Sequence, residues 1–167
     1  MDDIINKVAN SNLEIFDLED YYQDGKRMQI DISVWLEGGY LLREKDFRMA
    51  LKKHDWTKYA NSFVAINCAT DAILPAWAFI LVAVYVAKYS IKTVLGNLQD
   101  LEISLYEEVL QKIDYTVFEN KPLILKGCSK KPVPEAAYTL AVQKLLPFAK
   151  SIMYGEACSA VPLYKRQ

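Results

Sequence analysis

The amino-acid sequence predicts an α/β fold, in which a mainly parallel sheet of about four strands lies between helices in three layers. Three observations predict it. Four short apolar runs follow one another from residue 63 onward, helical segments separate them, and each run is continuously apolar rather than alternating. Such runs are typical of a parallel sheet that is covered on both faces. We therefore interpret the 167 residues as a single domain, with a small N-terminal α+β extension (1–60) and a βαβαβαβ core (61–167).

The N-terminal extension has a different pattern from the core. Residues 29–34 alternate polar and apolar side chains, which predicts a half-buried strand. Residues 43–54 predict a charged surface helix with Phe47 and Leu51 on its inner face. Acidic residues near the start of this helix and basic residues near its end suit the helix dipole.

The core alternates predicted strands with predicted helices. Its apolar runs are too short for helices and are bounded by Gly, Pro or Asn, which favours strands. The predicted strands are 63–66, 93–95, 122–125 and 151–154. The predicted helices are 75–89, 98–113 and a third that begins at Pro134 and ends near Pro147.

Composition and charge exclude several classes of protein. With 52% hydrophobic and 25% charged residues, the chain has the composition of a folded domain. Its 20 basic residues nearly balance its 21 acidic residues, so no positive excess is present to neutralise a phosphate backbone. We therefore expect no nucleic-acid partner.

The longest uncharged segment predicts a buried helix rather than a membrane span. Residues 72–87 carry no charge, but as a helix they would extend only about 24 Å, less than the ~30 Å of a bilayer core. We interpret this segment as core or as a subunit interface, and we expect no membrane partner. The acidic start of the chain lacks the basic and apolar stretches of a signal peptide, so we expect a cytoplasmic protein with reduced cysteines.

The three cysteines all follow predicted strands. Cys68, Cys128 and Cys158 lie in the loops after the first, third and fourth strands of the core, and the last two share the pattern C-S-x-x-P. Ligands of open parallel sheets bind at the carboxyl ends of the strands. We therefore expect three thiols at one edge of the sheet.

A metal site is the first interpretation of these thiols. Thiolates are soft ligands that suit zinc or an iron–sulfur cluster. Cys128 and Cys158 are the principal predicted ligands, with Cys68 and Asp71 as further ones. His54, the single histidine, is an additional candidate ligand, or else the residue that ends its own helix.

Two other interpretations stay open. Cys128 is a candidate catalytic nucleophile, because nearby lysines and the start of the next helix would lower the pKa of its thiol. Alternatively the cysteines are small buried side chains, and the protein is a non-catalytic interaction module, for example a homodimer through the apolar helix 75–89. The lysines concerned are Lys126, Lys130 and Lys131.

Several segments resemble an uncharacterised bacterial family that is defined by a domain of unknown function. The matching segments are KDFR (45–48), HDW (54–56), KGCSKKPVP (126–134) and SIMYGEACSAVPLYK (151–165). The resemblance extends along the whole chain and transfers no catalytic residue. It implies a genomic position beside the Suf iron–sulfur cluster assembly system, and therefore iron–sulfur assembly proteins as partners.

Overall fold

The computed structural model describes residues 12–127 and 129–167, which form seven strands and four α-helices. The strands are β1 (Glu14–Asp17), β2 (Lys26–Asp31), β3 (Ser62–Asn67), β4 (Lys92–Leu95), β5 (Pro122–Lys126), β6 (Ser151–Tyr154) and β7 (Val161–Lys165). The helices are α1 (Glu44–Lys53), α2 (Ala76–Val86), α3 (Leu98–Gln111) and α4 (Glu135–Leu145). Short 3-10 helices cover Leu18–Tyr21, Ile32–Trp35, Thr57–Tyr59 and Tyr115–Phe118.

The strands form two sheets, and both are mainly parallel. One sheet has the order β1-β5-β6-β7, and the other has the order β2-β3-β4. Every pair of neighbours is parallel except β6 and β7, which are antiparallel. The predicted α/β fold with a mainly parallel sheet of about four strands is thus confirmed, and a second, three-stranded sheet accompanies it.

The predicted strands are nevertheless distributed over both sheets. The runs 63–66 and 93–95 became β3 and β4 beside β2, whereas 122–125 and 151–154 became β5 and β6 between β1 and β7. The expectation that these four strands form one continuous sheet is therefore wrong. An apolar run indicates that a strand is buried, but it does not specify which strand is its neighbour.

Two compact units contain these sheets. Unit 2 is Asp24–Ser104, and unit 1 consists of Leu105–Gln167 with the described part of Met1–Gln23. Unit 2 therefore interrupts unit 1 in the chain, after β1 and the first 3-10 helix, and the second division falls within α3. The buried core of unit 1 includes Phe16, Tyr106, Leu123, Ala141 and Ile152. The buried core of unit 2 includes Ile32, Phe47, Val64, Val82 and Val86.

The charged helix of the predicted extension is α1. Phe47 and Leu51 are its buried residues, as the sequence predicts. Glu44 lies in its first turn and pairs with Arg48 at 2.9 Å, and Lys52 lies in its last turn, which suits the helix dipole.

The uncharged segment 72–87 contributes the 11 residues of α2. One face of α2 is buried in the core of unit 2, because Ala78, Val82 and Val86 have no exposed surface. Within the described residues, none of the helices combines the length and the apolarity that a membrane span requires.

The two units repeat the same order of elements. Each has a strand, a 3-10 helix, an α-helical segment, a second 3-10 helix, a strand, an α-helix and a strand. The turn before the second strand is the same in both. Asp55 Oδ1 accepts hydrogen bonds from the N–H (3.0 Å) and hydroxyl (2.5 Å) of Thr57, and Asp114 Oδ1 accepts the same bonds from Thr116 at 3.0 and 2.6 Å.

Asparagines with left-handed backbone follow these turns. Asn61 has a φ of 55° and Asn120 a φ of 56°, and they are 59 residues apart. The N–H of Asn61 donates to the carbonyl of Tyr89 (3.2 Å), and the N–H of Asn120 donates to the carbonyl of Phe148 (2.9 Å). Asparagine tolerates this conformation better than most residues do, so the same backbone turn leads into β3 and β5.

The helices between the second and third strands also correspond. α2 begins after Pro75 and α4 after Pro134, with φ and ψ of −66° and 144° at the first proline and −67° and 145° at the second. Their fully buried residues are again 59 positions apart: Ala78, Val82 and Val86 in α2, and Ala137, Ala141 and Leu145 in α4. Both units therefore pack the same face of this helix into their cores.

Candidate functional site

The carboxyl ends of three parallel strands meet at one edge of the unit 1 sheet. β5 lies between β1 and β6, and Asp17 at the end of β1 pairs in register with Lys126 at the end of β5. Parallel sheets bind ligands at this edge. We call it the unit 1 rim, and its described residues are 17–21, 126–127, 129–134 and 155–160.

Lys126 links the three strand ends of the unit 1 rim. Its Nζ lies 3.6 Å from Asp17 Oδ2 and 3.4 Å from Glu156 Oε1. The hydrogen bond and charge of Glu156, followed by those of Asp17, raise the pKa of the Lys126 ammonium. A positive charge is thus held between two carboxylates.

The loop after β5 surrounds the carboxylate of Glu19. Glu19 Oε1 accepts hydrogen bonds from the backbone N–H of Ser129, from the Ser129 hydroxyl at 2.9 Å and from the N–H of Lys130 at 2.9 Å. The N–H of Lys130 is the largest single influence on the pKa of Glu19, and with the bonds from Ser129 it outweighs desolvation and lowers that pKa. The loop therefore presents several donors to one negatively charged group.

Gly127 allows this loop to leave β5 close to the first 3-10 helix. A Cβ atom at this position would lie 3.1 Å from Leu18 Cβ and 3.1 Å from the hydroxyl oxygen of Tyr138. A side chain would therefore push the loop away from Leu18. Its absence helps Ser129 to reach Glu19.

Cys158 is exposed on the unit 1 rim. It lies in a turn that is closed by a hydrogen bond of 2.9 Å from Ser159 N to Glu156 O. Cys128 lies outside the described residues, although the residues on either side of it belong to the rim. The two C-S-x-x-P segments thus follow adjacent parallel strands, β5 and β6.

Cys68 follows β3 in unit 2 and is half-buried. Its Sγ lies 3.3 Å from Thr70 Oγ1, and the Thr70 hydroxyl donates to the carbonyl of Gly39 at 2.6 Å. Because the Thr70 hydroxyl proton is already donated to Gly39, the Cys68 contact is an S–H···O bond. Asp71, three residues further on, is exposed in the segment before α2.

Asp31 at the end of β2 fastens the loop that contains Cys68. Its Oδ1 accepts from the N–H groups of Ser33 (3.0 Å) and Ala69 (2.9 Å), and its Oδ2 accepts from the Ser33 hydroxyl (2.7 Å). Burial opposes the ionisation of Asp31, but the bonds from Ser33 and Ala69 are stronger influences together and lower its pKa.

His54 belongs to an aromatic cluster in unit 2. Its ring centroid lies 5.1 Å from that of Trp35 and 4.7 Å from that of Trp56, and its Nε2 lies 3.2 Å from the hydroxyl of Tyr59. Burial, followed by the charge of Lys58, lowers the pKa of the imidazole. His54 also ends α1, where its N–H donates to a carbonyl of the helix.

The predicted ligands thus belong to different units. Cys128 and Cys158 are in unit 1, whereas Cys68, Asp71 and His54 are in unit 2. Among the described residues, which exclude Cys128, no group of three or more His, Cys, Asp and Glu side chains is arranged to hold a metal ion.

Glu19 is the rim residue that sequence reasoning missed. It is 110 residues from Ser129 in the chain, and β1 before it was not predicted as a strand. A signal was nevertheless present. Residues 15–18 (IFDL) and 29–32 (QIDI) both place an Asp between apolar residues, and this Asp ends β1 in unit 1 and β2 in unit 2.

Comparisons with known proteins identify a family. No match was found among curated proteins or among solved structures. A family model described as "Protein of unknown function (DUF2480)" matches residues 2–166, nearly the whole chain. The chain therefore belongs to the DUF2480 family.

Proposed function

We propose that the protein binds a metal ion or an iron–sulfur cluster at the unit 1 rim through Cys128 and Cys158. One observation carries the proposal: β5 and β6 are adjacent and parallel, so the segments that follow them leave the sheet at the same edge. We therefore expect the two thiols, which are 30 residues apart in the chain, to lie near each other at this edge.

The chemistry of the unit 1 rim suits such a ligand. Thiolates are the ligands of zinc and of iron–sulfur clusters, and a metal would keep both cysteines deprotonated. Lys126, which pairs with Glu156, brings a positive charge that offsets part of the negative charge of two thiolates. Glu156 and Glu19 are carboxylates on the same rim that supply further donor atoms.

Cys68, Asp71 and His54 stay predicted ligands, but the proposal does not require them. The contacts of Cys68 with Thr70, and the packing of His54 among Trp35 and Trp56, give both residues local partners in unit 2.

This function would place the protein with iron–sulfur assembly proteins in the cytoplasm, where cysteines stay reduced. Neither nucleic acid nor a membrane would be a partner. A net charge of −1 offers no general attraction to a phosphate backbone, which supports the first part of that expectation.

The test is the content of zinc, iron and acid-labile sulfide in protein that is purified without oxygen or chelator. We expect close to stoichiometric zinc, or iron and sulfide with visible absorption. Cys128→Ser and Cys158→Ser should each lose most of it. Cys68→Ser is the matched control, since Cys68 follows the equivalent strand of unit 2, and it should retain the metal. Full retention in the double variant of Cys128 and Cys158 would contradict the proposal.

A second candidate function is thiol catalysis by Cys128. The observation that favours it is the convergence of N–H and hydroxyl donors from Ser129 and Lys130 on Glu19, directly after the cysteine. Donors aimed at a negative charge also stabilise a thiolate or an oxyanion.

The alkylation rate of each cysteine as a function of pH separates the two functions. A nucleophilic Cys128 should have a thiol pKa well below ~8.5 and should react faster than Cys158. Glu19→Gln should lower the pKa of Cys128 further, because it removes a neighbouring negative charge. An ordinary, slow reaction at Cys128 in metal-free protein excludes catalysis by this thiol.

A further inference from the structure

Equivalent edges of the two sheets are covered differently. β6 in unit 1 and β4 in unit 2 are the third parallel strands of their units. β7 pairs with β6 as an antiparallel strand. No strand in the described part of the chain pairs with the outer edge of β4. An uncovered edge of this kind can accept another strand.

Equivalent grooves lie beside these edges. The groove in unit 2 has a volume of about 440 Å³ and the groove in unit 1 about 390 Å³. Five pairs of lining residues are 59 positions apart: Ile66, Phe79, Ile80, Ala83 and Leu95 in unit 2, and Leu125, Tyr138, Thr139, Val142 and Tyr154 in unit 1. In unit 1 the covering strand β7 also contributes Leu163 to the lining. The fold therefore shows what covers a groove of this type, namely an antiparallel strand with an apolar side chain.

The uncovered groove is flanked by exposed apolar side chains. Ile80 and Val84 on α2 are 61% and 55% exposed, and Ile91 and Leu95 beside and in β4 are 59% and 64% exposed. At three of these four positions unit 1 has a polar residue, namely Thr139, Gln143 and Lys150. A contiguous apolar surface that the other unit lacks is typical of a protein–protein interface.

We propose that the occupant of this edge is β4 of a second copy of the chain, so that the protein is a homodimer with a continuous six-stranded sheet. A twofold axis perpendicular to the sheet makes two copies of β4 antiparallel, which is the direction of β7 on β6. In such an interface the same surface of both copies is in contact, so any charge on that surface would lie near an identical charge. Of the described residues that line the groove, only Lys92 is charged, and its Nζ donates to Ser104 O at 2.9 Å in its own chain.

The alternation of side chains along a strand limits the register, and the apolar residues of β4 favour one centre of pairing. Ile91, Thr93 and Leu95 lie on one face of the strand, and a twofold axis must pair residues of the same face. Pairing centred on Thr93 puts Ile91 opposite Leu95 of the second copy, and Thr93 opposite itself. Lysines then do not face each other, because Lys92 lies opposite Val94. Apolar and β-branched cross-strand pairs of this kind stabilise antiparallel sheets.

The test is sedimentation of the full chain with charge-swapped variants at the centre of the interface. We expect the wild-type protein to be a dimer at micromolar concentration. Thr93→Lys and Thr93→Glu each place two like charges opposite each other, and should raise the dissociation constant at least about tenfold. An equimolar mixture of the two variants should form dimers again, because Lys then faces Glu. Met49→Lys, at an exposed position of α1, is the control and should stay dimeric.

Folding must be monitored because Thr93 Oγ1 lies 2.9 Å from Ser90 Oγ in unit 2. Circular dichroism reports it, and Ile80→Lys on α2 is a second disruptive variant that leaves β4 unchanged. A monomeric wild-type protein overturns the proposal. So do dimers that persist in both single Thr93 variants and in Ile80→Lys.

Discussion

The two units share their folding features and differ in their exposed chemistry. Trp56 Nε1 in unit 2 donates to the carbonyl of Leu51 at 2.8 Å, and Tyr115 in unit 1 donates through its hydroxyl to the carbonyl of Leu110 at 2.7 Å. The side chains differ, yet both supply a donor to a buried carbonyl at the end of a helix. This carbonyl would otherwise lack a hydrogen-bond partner. The fold therefore requires a donor at this position, and either a Trp or a Tyr side chain can supply it.

At the carboxyl ends of the strands, by contrast, the two units use different residues to hold the loops. In unit 2 the strand-end carboxylate of Asp31 fastens the following loop through Ala69. In unit 1 the equivalent Asp17 lies near Lys126 instead, and Glu19 holds the loop after β5. Serine (Ser33) occupies the position that corresponds to Glu19 in unit 2. The same backbone plan thus carries an additional carboxylate and an additional lysine in unit 1, which is why we place the proposed chemistry there.

The largest expected effect on stability comes from truncating a buried helix residue that the two units share. Leu145 in α4 and Val86 in α2 are equivalent and have no exposed surface. Leu145→Ala should lower the free energy of unfolding by about 2–5 kcal/mol, and Val86→Ala by about 1–3 kcal/mol, since the second change removes fewer buried atoms. Urea unfolding measures both, and amide hydrogen exchange in β5 and β3 reports which unit is weakened.

The control is the residue next to Leu145. Leu146 is 36% exposed, so Leu146→Ala should cost less than half as much as Leu145→Ala. Equal losses in the two leucine variants would mean that α4 does not bury the face that corresponds to α2.

A smaller effect is expected at the two left-handed asparagines. Asn61→Ala and Asn120→Ala should each destabilise the protein by about 1–2 kcal/mol, because alanine is strained at positive φ. Asn61→Gly should be close to neutral, since glycine adopts this conformation readily. Asn120 Oδ1 also accepts a hydrogen bond from Arg166 at 3.0 Å, so Asn120→Gly should be less stable than Asn61→Gly. Thermal unfolding compares the four variants, and a neutral Asn61→Ala would show that the turn into β3 rearranges.

The sequence predicted local elements well and long-range neighbours poorly. Periodicity identified α1 with Phe47 and Leu51 inside, and short apolar runs identified β3, β4, β5 and β6. Both signals depend on residues that are close in the chain. The pairing of β1 with β5 depends on residues more than 100 positions apart, and no local pattern encodes it.

The candidate site was predictable to the same extent. The apolar runs predicted that Cys128 and Cys158 follow strands in the chain, and the adjacency of β5 and β6 brings the segments after these strands to one rim. Cys68 was grouped with them because all strands were assigned to one sheet, whereas it belongs to unit 2. Glu19 could not be placed at the loop of Ser129 without knowledge of β1.

The smallest expected effect concerns pH and a position at which the units differ. His54 in unit 2 corresponds to Ile113 in unit 1. Burial and the charge of Lys58 lower the pKa of folded His54 below its ordinary value of 6.5. The charge of Asp55 opposes this shift but is the weakest of the three influences. Below pH 6.5 the unfolded chain therefore binds a proton before the folded chain does, and stability falls as pH falls toward the pKa of the folded state. Above pH 6.5 this group contributes no pH dependence.

His54→Ile, which copies unit 1, should remove this part of the acid sensitivity in urea unfolding at a series of pH values. The two proteins are compared by the slope of the free energy of unfolding against pH. The variant also loses the contact of His54 with Tyr59 (3.2 Å), which changes its stability by a similar amount at every pH where His54 is neutral. An unchanged slope would mean that the pKa of the imidazole is the same in the folded and the unfolded chain.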